Sequence, residues 1–106
     1  MSKHDDIIEA NRIGKDIEQM DSEQFIDDYL VGEQFDIYTK GDDLWIDFIS
    51  GVNFYGEKTT SIQIHSNSSF RVERNGISVG TFKHDSLYTD LKEALFDIIE
   101  TRRLFK

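Results

Sequence analysis

The chain of 106 residues contains no cysteine and no proline. Without cysteine there is no disulfide framework and no thiolate metal site. Without proline, glycine and short polar clusters must mark the turns. No stretch approaches the 18 or so consecutive apolar residues of a membrane-crossing helix, and Met1 to Ala10 lack the apolar run of a signal peptide. A protein of the cell interior is therefore expected, and in that setting Asn67-Ser68-Ser69 reads as a polar turn rather than a glycosylation site.

Motifs that carry chemistry are missing as well. There is no glycine-rich phosphate loop, no HExxH and no GxSxG, and Asp42-Asp43 is not followed by the alternating oxygen ligands of an EF-hand. His4, His65 and His84 are far apart and not at ligand spacing, so each reads as a surface or loop residue. His84-Asp85 stands just before a helical pattern, where Asp85 or Ser86 is expected to act as a cap. The pattern predicts a protein that is not an enzyme and carries no cofactor.

What is present is a foldable composition with a lopsided charge. With 38% apolar, 12% aromatic and 31% charged residues, the chain is too hydrophobic for a disordered acidic tail and long enough for one modest core in one domain, residues 1–106. The formal net charge is -9. Met1 to Ser50 holds 14 acids against Lys3, Arg12, Lys15 and Lys40, whereas Gly51 to Lys106 has 8 bases and 7 acids. The whole excess lies in the first half. Solubility alone is one explanation for it.

Periodicity divides the chain into elements. Ala10, Ile13, Ile17 and Met20 fall on one helical face, which predicts a helix from about Asp5 to Met20, weakened by Gly14 and with Ile8 off the stripe. Asp21 can cap a second helix with Gln24 three residues on; Phe25, Ile26, Tyr29 and Leu30 share its apolar face and Gly32 ends it. From Phe35 the period becomes two. Phe35, Ile37 and Thr39, then Leu44, Ile46 and Phe48, flank Gly41-Asp42, a type II′ hairpin in which Lys40 faces Asp43, Tyr38 faces Trp45 and Asp36 faces Asp47.

The loop Gly51 to Lys58 carries Phe54 and Tyr55, and a third strand covers about Thr59 to His65 with Ile62 and Ile64 inward. Asn75-Gly76 predicts a type I′ hairpin that pairs Val72 with Val79. A last helix begins near Asp85, Ser86 or Thr89, with Leu87, Leu91, Ala94, Leu95 and Ile98 in one stripe, Asp90, Glu93, Asp97 and Glu100 in another, Phe96 on neither, and Arg102 and Arg103 at its end. The order α-α-β-β-β-β-β-α implies an α+β domain, an antiparallel meander packed with helices from both termini. The helices either share one face of the sheet or cover both.

One carboxylate pair stands out in that register. Asp36 opposite Asp47 should cost about 0.2 to 1 kcal/mol, so a divalent cation, a shared proton or a basic partner is expected to compensate. The alternatives are a register one or two residues off or a base such as Lys40 between them. On the same strands lie Tyr38 and Trp45, and acids framing aromatic rings are what a contact site for a basic protein requires. The candidate partner-binding residues are Asp27, Asp28, Glu33, Asp36, Tyr38, Asp42, Asp43, Trp45 and Asp47.

Direct nucleic-acid binding is disfavoured, since only Lys58, Arg71, Arg74 and Lys83 offer a modest basic cluster, and an acidic surface is repelled by anionic lipid. The reading that follows is a small acidic inhibitor that occupies the nucleic-acid-binding surface of a basic partner such as a nuclease or defence effector. Anti-CRISPR and anti-restriction proteins of phages act in this way, as do immunity proteins against nuclease toxins. Two other classes remain: a non-catalytic oligomeric accessory subunit, and a metal-dependent or hydrolytic enzyme built on Asp36 and Asp47.

Overall fold

The computed structural model describes residues 3–52 and 58–94. Helix α1 is Lys3–Glu18, and α2, Ser22–Phe25, continues into a π-helical turn, Ile26–Leu30. Five strands follow: β1 (Phe35–Lys40), β2 (Asp43–Val52), β3 (Lys58–Ile64), β4 (Ser69–Arg74) and β5 (Ile77–Lys83). The described part of helix α3 is 87–94. The strands form one antiparallel sheet in the order β1-β2-β3-β4-β5, so the fold is α+β. Among the described residues no helix is long and apolar enough to cross a membrane. The expectations for Phe54, Tyr55, Leu95, Phe96, Asp97, Ile98, Glu100, Arg102 and Arg103 lie outside the described residues.

Helix α1 forms where the stripe predicted it, shifted two residues toward the N-terminus, and buries Ala10, Ile13 and Ile17 while Ile8 stays exposed. Gly14 is more than a weak point in it. A Cβ there would lie 2.3 Å from two ring carbons of Phe82, so α1 crosses β5 at a distance only glycine allows. Asp21 caps α2 through its Oδ1, which accepts from the Gln24 N–H at 2.7 Å. The segment does not remain a regular α-helix as the spacing suggested. The Val31 N–H reaches back five residues to the Ile26 carbonyl (2.9 Å), and this wider turn lets Phe25 and Leu30 both be buried, with Gly32 at φ +82° redirecting the chain.

Both hairpins have the predicted registers. Phe35, Asp36, Ile37, Tyr38 and Lys40 pair with Phe48, Asp47, Ile46, Trp45 and Asp43, and Val72 pairs with Val79. Gly41 has φ +63° beside an Asp42 of negative φ, as a type II′ turn demands, while Asn75 (φ +50°) and Gly76 (φ +85°) make the type I′ turn. Alternation then sorts the sheet into two faces.

Leu44, Ile46, Ile62, Ile64, Phe70, Val72 and Phe82 form one buried cluster with Ala10, Ile13, Ile17, Phe25, Leu30, Leu87 and Leu91. Among the described residues all three helices thus pack on the same sheet face, one of the two arrangements the sequence left open. The N-terminal layer is also tied to the sheet by polar contacts: Asn75 Nδ2 donates to the buried Asp6 (2.9 Å), and the Lys83 N–H donates to Glu18 (2.9 Å).

His84 lies in the loop before α3, as one of its two expected placements had it, but not at the surface. It is buried, its Nδ1 accepts from the Leu87 N–H at 3.0 Å, and its Nε2 lies 2.6 Å from the Met20 carbonyl. The first bond leaves the proton on Nε2, so one neutral imidazole caps α3 and fastens it to the turn that follows α1. Asp85 and Ser86 do not take the capping role expected of them: Ser86 Oγ instead meets Ser22 Oγ at 3.4 Å.

Candidate functional site: the open sheet face

The face of the sheet turned away from the helices carries every second residue of each strand, and the register arranges them in rows. One row runs Asp36, Asp47, Ser61, Glu73, Ser78 from β1 to β5. The next runs Tyr38, Trp45, Gln63, Arg71, and below it Lys40 faces Asp43. Tyr38 is 39% exposed, and Trp45, Asp36, Asp43 and Asp47 are half-buried.

Asp36 and Asp47 are directly opposed, as the two-residue turn requires. Two hydroxyl groups hold Asp47 in place. Its Oδ2 accepts from the Tyr38 hydroxyl at 3.0 Å and its Oδ1 from Ser61 Oγ at 2.8 Å. The donors come from the strand on either side of β2. Tyr38 answers with a phenol pushed up to about 12, because partial burial disfavours the phenolate and Asp47, both as hydrogen-bond acceptor and as a charge, holds the proton in place.

Asp43 is fixed in a similar way by β3. Its Oδ2 accepts from Gln63 Nε2 at 2.7 Å and its Oδ1 lies 3.0 Å from His65 Nδ1. Desolvation acts to raise this carboxyl, but the hydrogen bonds from Gln63 and His65, with the charge of His65, outweigh it and hold Asp43 below the ordinary carboxylate range. Apart from His65 when protonated, the donors named for the two acids are neutral. They orient the carboxylates without cancelling their charge.

The predicted patch is therefore divided. Asp36, Tyr38, Asp43, Trp45 and Asp47 are brought together on the open face. Asp42 sits in the hairpin turn, where its carbonyl accepts the Tyr88 hydroxyl at 2.7 Å and ties the tip to α3. Asp27 and Asp28 are exposed on the π-helical turn and Glu33 in the turn after it. Asp28 belongs to the helical layer: burial raises the Tyr29 phenol, and Asp16 of α1 and Asp28 raise it further.

The face is also not uniformly acidic, because Arg71, Lys40 and Lys83 stand on or beside it. Its acids gather toward β1 and β2. The basic cluster expected from the sequence is broken up, since Arg74 falls in the row of Phe35, Phe48 and Thr60 on the helix-covered side, donating to Thr60 Oγ1 at 2.7 Å.

Ser61, Gln63, His65 and Glu73 were missed as members of the site. The alternation of β3 around Ile62 and Ile64 already put the first three outward, but the β2–β3 register that carries them to Asp47 and Asp43 cannot be read across the loop from Gly51 to Lys58. Among the described residues no group of three or more His, Asp or Glu side chains converges as a metal site would require. His65 and Asp43 make a histidine–carboxylate pair, yet Ser69, whose carbonyl accepts the His65 N–H, gives its own hydroxyl to Asn67 at 2.6 Å. No family model, no curated protein and no solved structure matches the chain.

Proposed function

We propose that the protein is a binding module that docks the β1–β2 part of its open sheet face onto a basic surface of another protein, one that ordinarily holds nucleic acid. A nuclease or a nucleic-acid-guided defence enzyme fits that description. The observation that carries the reading is the fixing of Asp47 by Tyr38 and Ser61 beside Trp45. A carboxylate held in place by hydroxyl donors loses little freedom on binding, so it can meet an arginine or lysine at low entropic cost. Tyr38 and Trp45 supply the apolar contact at the centre of an interface, and the acids around them steer a basic partner and exclude an acidic one.

Affinity capture tests this with three baits: the native chain, an open-face double variant Trp45→Ala/Asp47→Lys, and a helical-layer double variant Asp27→Lys/Asp28→Lys. Capture is run from nuclease-treated lysate at low salt and at about 0.5 M salt, where charge–charge attraction is screened within a few ångströms. The expected result is a basic nucleic-acid-binding protein retained by the native chain and the helical-layer variant, lost from the open-face variant, and released by salt. Equal retention by all three baits, or a salt-resistant partner without a basic surface, would count against the proposal.

A further inference from the structure

The two edges of the sheet are treated differently. At β5 the pairing with β4 slips between Phe70 and Val72, α1 crosses the strand where Gly14 meets Phe82, and Glu18 takes the Lys83 N–H. A bulge, a covering helix and a side-chain acceptor are the usual ways of making an edge unavailable. Among the described residues, strand β1 has none of these. Its six residues pair with β2 without a slip.

In a two-residue hairpin the residues flanking the turn exchange backbone hydrogen bonds and the pattern alternates from there. Lys40, Tyr38 and Asp36 thus bond to β2, and the N–H and C=O groups of Ile37 and Thr39 point away from it.

We propose that a second copy of the chain pairs with β1 in antiparallel fashion, with the two-fold axis at Tyr38, joining the sheets into one of ten strands. The charge order of β1 is self-complementary in this register alone. An axis at Tyr38 sets Ile37 against Thr39 of the other copy, which pairs the outward backbone groups, and sets Asp36 against Lys40 twice over. Moving the axis to Ile37 opposes Asp36 to Tyr38 and leaves Lys40 beyond the pairing. The same axis aligns the half-exposed rings, so that Trp45, Tyr38, Tyr38 and Trp45 form one row across the joined open faces. The pairing uses the backbone edge, so it neither needs nor excludes the partner reading above.

The absence of cysteine makes the test clean. Sedimentation at about 0.15 M salt, which screens the repulsion between two chains of charge -9, should give twice the chain mass of 12.4 kDa. Under mild oxidation Tyr38→Cys should form a disulfide dimer, because opposed non-hydrogen-bonded residues lie within the Cα separation a disulfide accepts. Thr81→Cys, exposed on β5, should not. Lys40→Asp should return the mass to that of a single chain, and Asp36→Lys in the same chain should restore the dimer. A single-chain mass at the highest soluble concentration would overturn the proposal. So would cross-linking at residue 81 as fast as at 38, or a charge swap that fails to restore what Lys40→Asp removed.

Discussion

Replacing Gly14 by alanine sets two terms of opposite sign against each other. An interior helical glycine normally gains about 0.5–1 kcal/mol on becoming alanine, through backbone entropy. Here the added methyl would stand 2.3 Å from two carbons of the Phe82 ring and 2.6 Å from a third. Carbon atoms rest at about 3.5–4 Å, so the helix or the ring must give by more than about 1 Å.

Neither has room to do so: Phe82 is 7% exposed and stacks on Phe70 with ring centroids 5.4 Å apart. Overpacking costs about 1–3 kcal/mol, and a displacement this large belongs in the upper half of that range, so it outweighs the propensity gain and leaves a net loss of about 1–2.5 kcal/mol. For a domain of this size the melting temperature should fall by roughly 4–15 °C. In a Phe82→Val chain, itself weakened by less than the about 3–5 kcal/mol of truncation to alanine, the obstructing ring atoms are gone and Gly14→Ala should stabilise. Urea unfolding followed by Trp45, the only tryptophan, measures all four corners of the cycle. A Gly14→Ala variant that raises the midpoint of the native chain, or that costs the same in both backgrounds, would refute the reasoning.

Tyr38 should titrate near pH 12 rather than near 10. Since the folded value is the raised one, its stabilising effect is complete below about pH 10 and is lost as pH rises through the folded value; difference absorbance between the native chain and Tyr38→Phe follows it, and Asp47→Asn should bring the midpoint down. Asp43 has the opposite sign: its lowered carboxyl stabilises above the ordinary carboxylate value and that stability is lost as pH falls through the folded value, so Asp43→Asn should flatten the acid limb of a stability–pH curve. His84→Ala removes the partners of the Leu87 N–H and the Met20 carbonyl at a buried site and should cost about 3 kcal/mol in urea unfolding. Asp21→Ala removes only a cap and should cost about 1 kcal/mol by the same measurement.

Much of the β1–β2 geometry was legible because a two-residue turn leaves no freedom of register. Gly41-Asp42 determines that Lys40 meets Asp43, and every other pair follows, Asp36 with Asp47 included. The helical stripe of Ala10, Ile13 and Ile17 was legible for a similar reason: its period admits one face. Contacts between segments distant in sequence were not. Gly14 reads as a helix weakness until Phe82, 68 positions on, is seen against it. His84 reads as an ordinary loop residue until Met20, in the turn after α1, is seen to supply its acceptor.

The compensation of Asp47 has the same origin, because Ser61 reaches it from β3 across a loop whose length conceals the register. The division of the acids between the open face and the helical layer was also hidden. Asp27 and Asp36 are close in sequence, but one lies on a helical turn and the other on a strand, and only the packing of all three helices on one face separates them.

The most direct test of the binding reading is a competition measurement on the basic protein that capture recovers: the occupancy of its nucleic acid as the acidic chain is added. The account predicts displacement of the nucleic acid, weakened about 30-fold by Trp45→Ala, the factor corresponding to the about 2 kcal/mol of an interface hot spot. Glu93→Lys, on the exposed side of α3, should displace as well as the native chain. A partner that holds nucleic acid and the acidic chain together, or one displaced equally by the native chain and Trp45→Ala, would contradict it.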